Sequence, residues 1–166
     1  NRWEPVNQIN LVDWFPTVCE YMNLPIPEQL DGQSLKPYIE TGFCSSHQNF
    51  SFSEYNAHGI THGMFMIRWK QYKYIYYCYE QPQLFDLNQD PNENHSLLEQ
   101  KPAAPEIMIA AEECHKRLLS VCNPYEVDLR ARTFQTNTKK ELGITAYDTD
   151  MADCPVPHPQ SVLGNG

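Results

Sequence analysis

The sequence predicts an α+β fold: a small antiparallel sheet of about four strands, packed against a C-terminal helix and preceded by a short helix. Three observations carry this. The run MFMIRWKQYKYIYYCY over 64–79 is dense in aromatic and β-branched residues and fits two strands with a tight turn between them. PAAPEIMIAAEECHKRLLSVC over 102–122 spaces its apolar residues by three and four, as a helix requires. Thirteen prolines and seven glycines in 166 residues favour many short elements over a few long ones.

Taken in order, the first segment has apolar residues at Ile9, Leu11, Val12, Phe15, Val18, Cys19 and Met22, the later ones at helical spacing. Asp13 is the expected N-cap, Pro16 fits the first turn, and Pro25 is the expected stop. LDGQSLKPYIETG reads as a turn, a short helical turn and an exit at Gly42. FCSSHQNF, 43–50, reads as a polar surface loop. SFSEYNAHGITHG begins as a strand and becomes irregular at its glycines. In the tyrosine-rich run, Met64, Met66 or Ile67, Trp69, Tyr74, Tyr76 and Cys78 are the inward candidates, with the turn near Lys70 and Gln71. QPQLFDL is a further short strand, and short connections between sequential strands indicate a meander. In the long helix, Pro105 and Glu106 suit the first turn, and Ile107, Ala110, Ala111, Cys114, Leu118 and Val121 form the apolar stripe. Lys116 and Arg117 fall in its closing turns, and Asn123 with Pro124 ends it. YEVDLRARTFQTNTKKELG is read as another amphipathic helix ending at Gly143, and the Pro- and Gly-rich tail as extended.

Twelve basic against 21 acidic residues leave a formal net charge of −9. With no basic stripe, nucleic acid is a poor partner. No 18-residue apolar window exists for a transmembrane helix, and the N-terminal NRWEPVNQIN lacks the apolar core of a signal peptide. The absence of an initiator Met is what an internal segment of a longer chain would show. None of the six cysteines (Cys19, Cys44, Cys78, Cys114, Cys122, Cys154) forms a CxxC pair, so a zinc ribbon is unsupported. Cys114 and Cys122, if both helical, lie about 12 Å apart along the axis, too far to bridge.

Three stretches invite a chemical reading. DLNQDPNENHSLLE, 86–99, places Asp86, Asn88 and Asp90 at positions 1, 3 and 5 of a calcium loop. Pro91 then occupies the position where glycine makes the sharp turn, and Leu97 the position of the bidentate glutamate, so the half that closes the cage fails. Turn chemistry explains the same residues: Pro91 presets φ, Asn92 or Asn94 caps a helical turn, and Leu97 and Leu98 return to the core. HGITH puts His58 and His62 four apart, the spacing of a zinc pair, but without the general-base glutamate and with Gly59 between them. The intermediate reading is that Glu54, His58 and His62 line a pocket edge. CNPYE resembles a C-x-P-x-R nucleophile motif but carries Glu126 in place of Arg, and no positive group is expected beside Cys122 to hold an oxyanion.

Three longer blocks, in order, resemble the type I sulfatases of the alkaline-phosphatase superfamily. VNQINLVDWFPTVCEYMNLPIPEQLDGQSLKPYI resembles a DLFPT helix followed by an LDG-x-SL-x-P turn. SEYNAHGITHGMFMIRWKQYKYIYY resembles E-Y-x-A-x-G leading to MIR…YKYI. PQLFDLNQDPNENHSLLEQKP resembles LFDL-x-x-DP-x-E-x-x-NL. Together they cover residues 6 to about 102. PYEVDLRARTFQ is similar to C-terminal regions of some bacterial-type sulfatases. The resemblance implies the C-terminal part of such an enzyme. Residues 1–42 would be the end of its α/β domain, 43–123 the sheet and helix of the C-terminal subdomain, and 124–166 a C-terminal helix and tail. It implies hydrolysis of sulfate esters by the parent enzyme, with formylglycine and calcium in its upstream part. The nucleophile motif, the paired-Asp ligands and the DHG block are absent here, so no catalytic residue and no metal ligand carries over. Glu54, His58 and His62 remain candidates for pocket support, and this chain alone is expected to be inactive. The expected partners are the upstream α/β domain, through an apolar face including Trp3, Trp14 and Phe15, and a sulfated small molecule or glycan. Secreted, periplasmic and lysosomal-type compartments stay open for the parent. The competing readings are a stand-alone module binding carbohydrate or protein on a tyrosine-rich sheet, and a small metalloenzyme built on His58 and His62.

Overall fold

The structure is a computed structural model that describes residues 8–42, 49–57, 60–99 and 102–144. In chain order they form a 3-10 turn (Leu11–Asp13), α1 (Trp14–Tyr21), α2 (Lys36–Thr41), β1 (Ser51–Tyr55), β2 (Met64–Trp69), β3 (Tyr72–Tyr77), β4 (Gln83–Asp86), α3 (Pro105–Val121) and α4 (Pro124–Glu141). The four strands lie in sequence order in one antiparallel sheet, as the short connections predict. The chain divides into two compact units, one of residues 1–52 with 68–70, the other of 53–67 with 71–166.

In the first unit, a short polar network organises the start of α1. Asp13 stands at the N-cap but makes no side-chain cap bond. Instead its carboxylate accepts the N–H of Asn10 at 2.8 Å and that of Gln33 at 3.0 Å. The expected cap is therefore a clasp between the 3-10 turn and the segment after Gly32. Thr17 Oγ1 donates to Asp13 O and accepts the Leu35 N–H at 2.8 Å, fastening the same segment one turn later. Both Asp13 and Thr17 are buried, so these bonds replace lost hydration. Gly32 is required by close approach: a Cβ there would collide with the Val12 carbonyl and the Asp13 nitrogen. α1 ends at Tyr21, before Pro25, because Asn23 turns left-handed at φ 53°. α2 ends on Gly42 at φ 74°, the left-handed residue expected past a helix end. In the loop after it, 43–48 lies outside the described residues, whereas Phe50 is buried rather than at a polar surface.

In the second unit, β2 turns Phe65 and Ile67 inward, so Ile67 and not Met66 faces the core; Met64 and Trp69, expected inward, are only half-buried, and Phe65 takes the core position that the sequence reading passed over. Lys70, at φ 51°, makes the tight turn into β3. There Tyr74 and Tyr76 point inward while Lys73, Ile75 and Tyr77 stay half-buried. β3 pairs with β4 with Tyr74 opposite Leu84 and Lys73 opposite Phe85. α3 packs on β3 through Ala110, Ala111, Cys114 and Leu118; Val121, expected in this stripe, is exposed at the last turn. Small Ala and Cys residues let the helix approach the large tyrosine rings. Lys116 and Arg117 pair with Glu112 and Glu113 one turn back. Asn123 both follows α3 and caps α4, its side chain accepting the Tyr125 N–H at 3.1 Å, and Gly143 follows α4 at φ 65°. No helix among the described residues is long and apolar enough to cross a membrane.

The buried tyrosines take polar partners. Tyr74 Oη meets His115 Nδ1 at 3.2 Å, and Tyr76 Oη donates to Tyr125 Oη at 2.7 Å. Burial, foremost, raises the pKa of both hydroxyls and lowers that of the His115 imidazole.

Two outcomes are expected. Gly32→Ala should destabilise the chain by about 1–3 kcal/mol in urea unfolding, because backbone must shift to admit the methyl; an unchanged midpoint would contradict the close approach. His115 has its folded-state pKa below the unfolded value of 6.5. Its contribution is therefore complete above 6.5 and lost as pH falls through the depressed folded value. The loss of stability between pH 7 and 5 should be smaller in His115→Gln than in the wild type.

Candidate functional site

The loop between β1 and β2 carries the sequence-derived candidates. Glu54 lies exposed on β1, His58 lies outside the described residues, and His62 is half-buried just before β2. Glu54 does not join His62: its charge acts on Cys122, while His62 lines a small hollow against α4.

That hollow is built mostly from residues that sequence reasoning passed over. Asp128 on α4 is 2% exposed. Its Oδ1 accepts the Gly63 N–H at 2.8 Å and its Oδ2 meets Arg132 Nη2 at 2.8 Å. Arg132 donates to Tyr79 Oη at 3.4 Å and lies over the Tyr79 ring, 5.8 Å from its centroid. The Tyr79 ring packs edge-on to His62 with centroids 4.7 Å apart. One turn further along α4, Gln135 Nε2 donates to the Asn56 carbonyl at 2.6 Å. Gly63 has no room for a side chain, since a Cβ there would lie 2.5 Å from Asn56 Oδ1. Asp128 and Arg132 are four apart in the sequence, but that spacing is also the commonest surface pairing on a helix, so burial could not be read from it.

The hollow measures about 10 Å³, room for a single water rather than a substrate. Asn56 Oδ1, His62 Nδ1, Asp128 Oδ2 and Arg132 Nε are buried there without a protein hydrogen-bond partner, so Asp128 Oδ2 holds Arg132 as an ion pair whose geometry falls short of a hydrogen bond. The arrangement is suited to holding a loop in place and has no cavity for chemistry of its own.

The other sequence candidates resolve into local structure. Asp86 Oδ1 accepts the Asn88 N–H at 2.9 Å and Asp90 Oδ2 that of His95 at 2.9 Å. The His95 and Asn94 amides hold the Asp90 carboxyl below its ordinary range. The carboxylates thus serve the backbone, as turn chemistry predicts. The expected helical turn is absent: the segment is a series of turns with Glu93 at φ 57°, and Glu93 pairs with Lys73 on β3 at 2.6 Å. Leu97 and Leu98 are only half-buried. No group of three or more His, Cys, Asp or Glu that could hold a metal ion occurs among the described residues. With Asp86 and Asp90 committed to amides, the residues present do not fit the calcium of the sulfatase family.

Cys122 ends α3, its thiol pushed up by burial and then by Glu54, with Arg130 pulling the other way. A positive group is therefore near it, contrary to expectation, but burial and Glu54 outweigh it. Cys78 is pushed up to about 12, chiefly by burial. Cys19, Cys78 and Cys122 are in no disulfide.

Comparison with known proteins places this architecture. A 2-O GAG sulfatase superposes on 83% of the chain with TM-score 0.54 and 23% identity, using 27% of its own length. The phosphonate monoester hydrolase of Agrobacterium radiobacter superposes on 65% with TM-score 0.53 and 25% identity, using 23% of its length. The four-stranded sheet with its helices is thus the C-terminal part of the sulfatase-type fold. Residues 4–122 match the family model for N-sulphoglucosamine sulphohydrolase, C-terminal, and the chain belongs to that family, within the alkaline-phosphatase superfamily. Among curated relatives, arylsulfatase K of Bos taurus is 35% identical over 51% of this chain. That of Homo sapiens is 33% identical over 52%, and that of Xenopus laevis 29% identical over 68%. The chain spans only 17% to 22% of the length of these relatives.

At pH 8, Cys122 should react with iodoacetamide more slowly than a free cysteine. Glu54→Gln should speed the reaction and Arg130→Ala slow it, as read by mass spectrometry; equal rates in all three would contradict the assigned charges.

Proposed function

We propose that this chain is the C-terminal subdomain of a sulfuric ester hydrolase, supporting the substrate pocket without supplying the reacting groups. The family match over residues 4–122 carries the reading. The substrate class proposed is a sulfated sugar: a structural relative of 22% identity is described in complex with its substrate D-glucosamine-2-N,6-O-disulfate. Formylglycine and calcium are proposed to reside elsewhere in the whole protein. Glu126, standing where the C-x-P-x-R motif needs Arg, supports that division.

The surface of the first unit supports the role of a docked subdomain. Leu11 is 90% exposed, Trp14 67% and Phe15 53%, with Val12 and Met22 also outside. Apolar side chains grouped on one short helix and its lead-in mark an interaction surface, here assigned to the α/β domain of the same protein. Trp3, expected on this face, lies outside the described residues. The alternative of a tyrosine-rich binding platform loses its central rings, since Tyr74 and Tyr76 are buried. Pocket support is proposed for the loop edge at His62 alone; Glu54 lies apart from it on β1, and His58 lies outside the described residues.

The isolated 166-residue chain should show no turnover of 4-nitrophenyl sulfate at high protein concentration, whereas the longer protein that carries it should hydrolyse sulfate esters. Turnover by the isolated chain would sink the assignment, as would a longer protein inert toward aryl and sugar sulfates alike.

A further inference from the structure

The geometry points to Asp128 as a positioning residue: through Gly63 and through Arg132 with Tyr79, it fixes His62 at the edge assigned above to the substrate pocket. The inference rests on that assignment for its functional meaning, but its geometry stands apart from it.

Four observations converge. The family match ends at residue 122, so α4, beginning at Pro124, lies outside the matched pattern. Yet α4 supplies the two side chains that bond this loop's backbone, while Cys78 donates its N–H to the Gly63 carbonyl from the end of β3. Asp128 takes the Gly63 N–H, next in the chain to His62, and Gln135 takes the Asn56 carbonyl at the other end of the loop. Second, Asp128 is 2% exposed. Burying a carboxylate is costly, and a pair such as Asp128 with Arg132 is a weak way to gain stability. An apolar residue would pack α4 at least as well, so the charge is explained by what it orients. Third, the pair acts in two directions. Asp128 sets the backbone beside His62, while Arg132, held by Asp128, holds Tyr79, whose ring in turn packs on the His62 imidazole. Backbone and ring of one histidine are thus governed by one carboxylate. Fourth, Tyr79 adopts φ 69°, a left-handed conformation that a tyrosine rarely takes. Such strain persists where surrounding contacts dictate it. Here those contacts are His62, Tyr125 and Arg132.

The test uses NMR on the full chain. In Asp128→Ala, the Gly63 amide should exchange with solvent about tenfold faster or more, as expected for losing a bond to a charged acceptor. The His62 and Tyr79 ring resonances should move, while the amides of Leu84 and Leu118 keep their protection. Unmoved Gly63 and His62 signals with an intact core overturn the proposal. Asp128→Asn decides the case if the alanine variant does not fold. It keeps an acceptor for Gly63 but not the charge for Arg132. The Tyr79 and His62 ring signals should then move while Gly63 stays protected; unmoved rings, or protection lost throughout the core, overturn it. In the longer protein, Asp128→Asn should raise KM for a sulfated monosaccharide several-fold more than it lowers kcat, and an unchanged KM overturns the positioning role. If the wild-type longer protein hydrolyses no sulfate ester, the pocket assignment fails, and the NMR result still decides whether Asp128 sets His62.

Discussion

Two tyrosine hydroxyls inside an apolar layer constrain the second unit more than any other feature. Tyr74 and Tyr76 bring large rings to the inner face of β3, and each ring carries a polar oxygen into the core. A buried hydroxyl without a partner costs about 1–3 kcal/mol, so each must meet a polar group from whatever covers the sheet. Tyr74 finds His115 on α3, and Tyr76 finds Tyr125 in the first turn of α4. The two helices are thereby registered against the same strand. The Cys78 thiol, directed at the Pro124 carbonyl at 3.6 Å, adds a weaker tie at the same place. Once the start of α4 is fixed in this way, its next turns follow from 3.6-residue geometry, and Asp128, Arg132 and Gln135 fall along the loop that contains His62.

The first unit solves a comparable problem with backbone groups. A 3-10 turn running into a helix leaves amides unsatisfied, and the segment after Gly32 needs acceptors as well. Asp13 and Thr17 serve both at once, which accounts for the stretch LDGQSL in physical terms. Glycine permits the close approach, and the residues after it, Gln33 and Leu35, present the amides that Asp13 and Thr17 accept. The polar residues are consumed by this network, and the apolar ones on the outer side of the turn and helix are left exposed. Fold and exposed apolar surface therefore arise from the same few residues.

DLNQDPNENHSLLE shows how far local pattern reaches. Pro91 and Leu97 exclude the calcium cage because both defects are local: a fixed φ and a missing carboxylate. The binding of the Asp86 and Asp90 carboxylates to nearby amides follows from the same short-range chemistry. The helical turn anticipated there does not form: Glu93 turns left-handed at φ 57°, and its carboxylate meets Lys73 on β3, a partner 20 residues away. His62 was visible as a candidate through its spacing from His58 and its place in a glycine-containing loop. Its surroundings were not visible. Asp128 is 66 positions from His62 in the sequence, and nothing local to either announces the other.

The sequence by itself determined the α+β class, the strand order of the meander, the turn at Lys70, the helix that begins at Pro105 and the membership in a sulfatase family. These depend on period, on turn residues and on ordered words, all of which are local or repeated. Only the tertiary structure decided which face of β2 turns inward, that Asp13 clasps a distant segment in place of capping its own helix, and that the Asp128 carboxylate of an Asp–Arg pair of ordinary surface spacing is buried. Those outcomes depend on which polar groups lose water together. Desolvation is a property of the assembled core, so it cannot be read from any one segment.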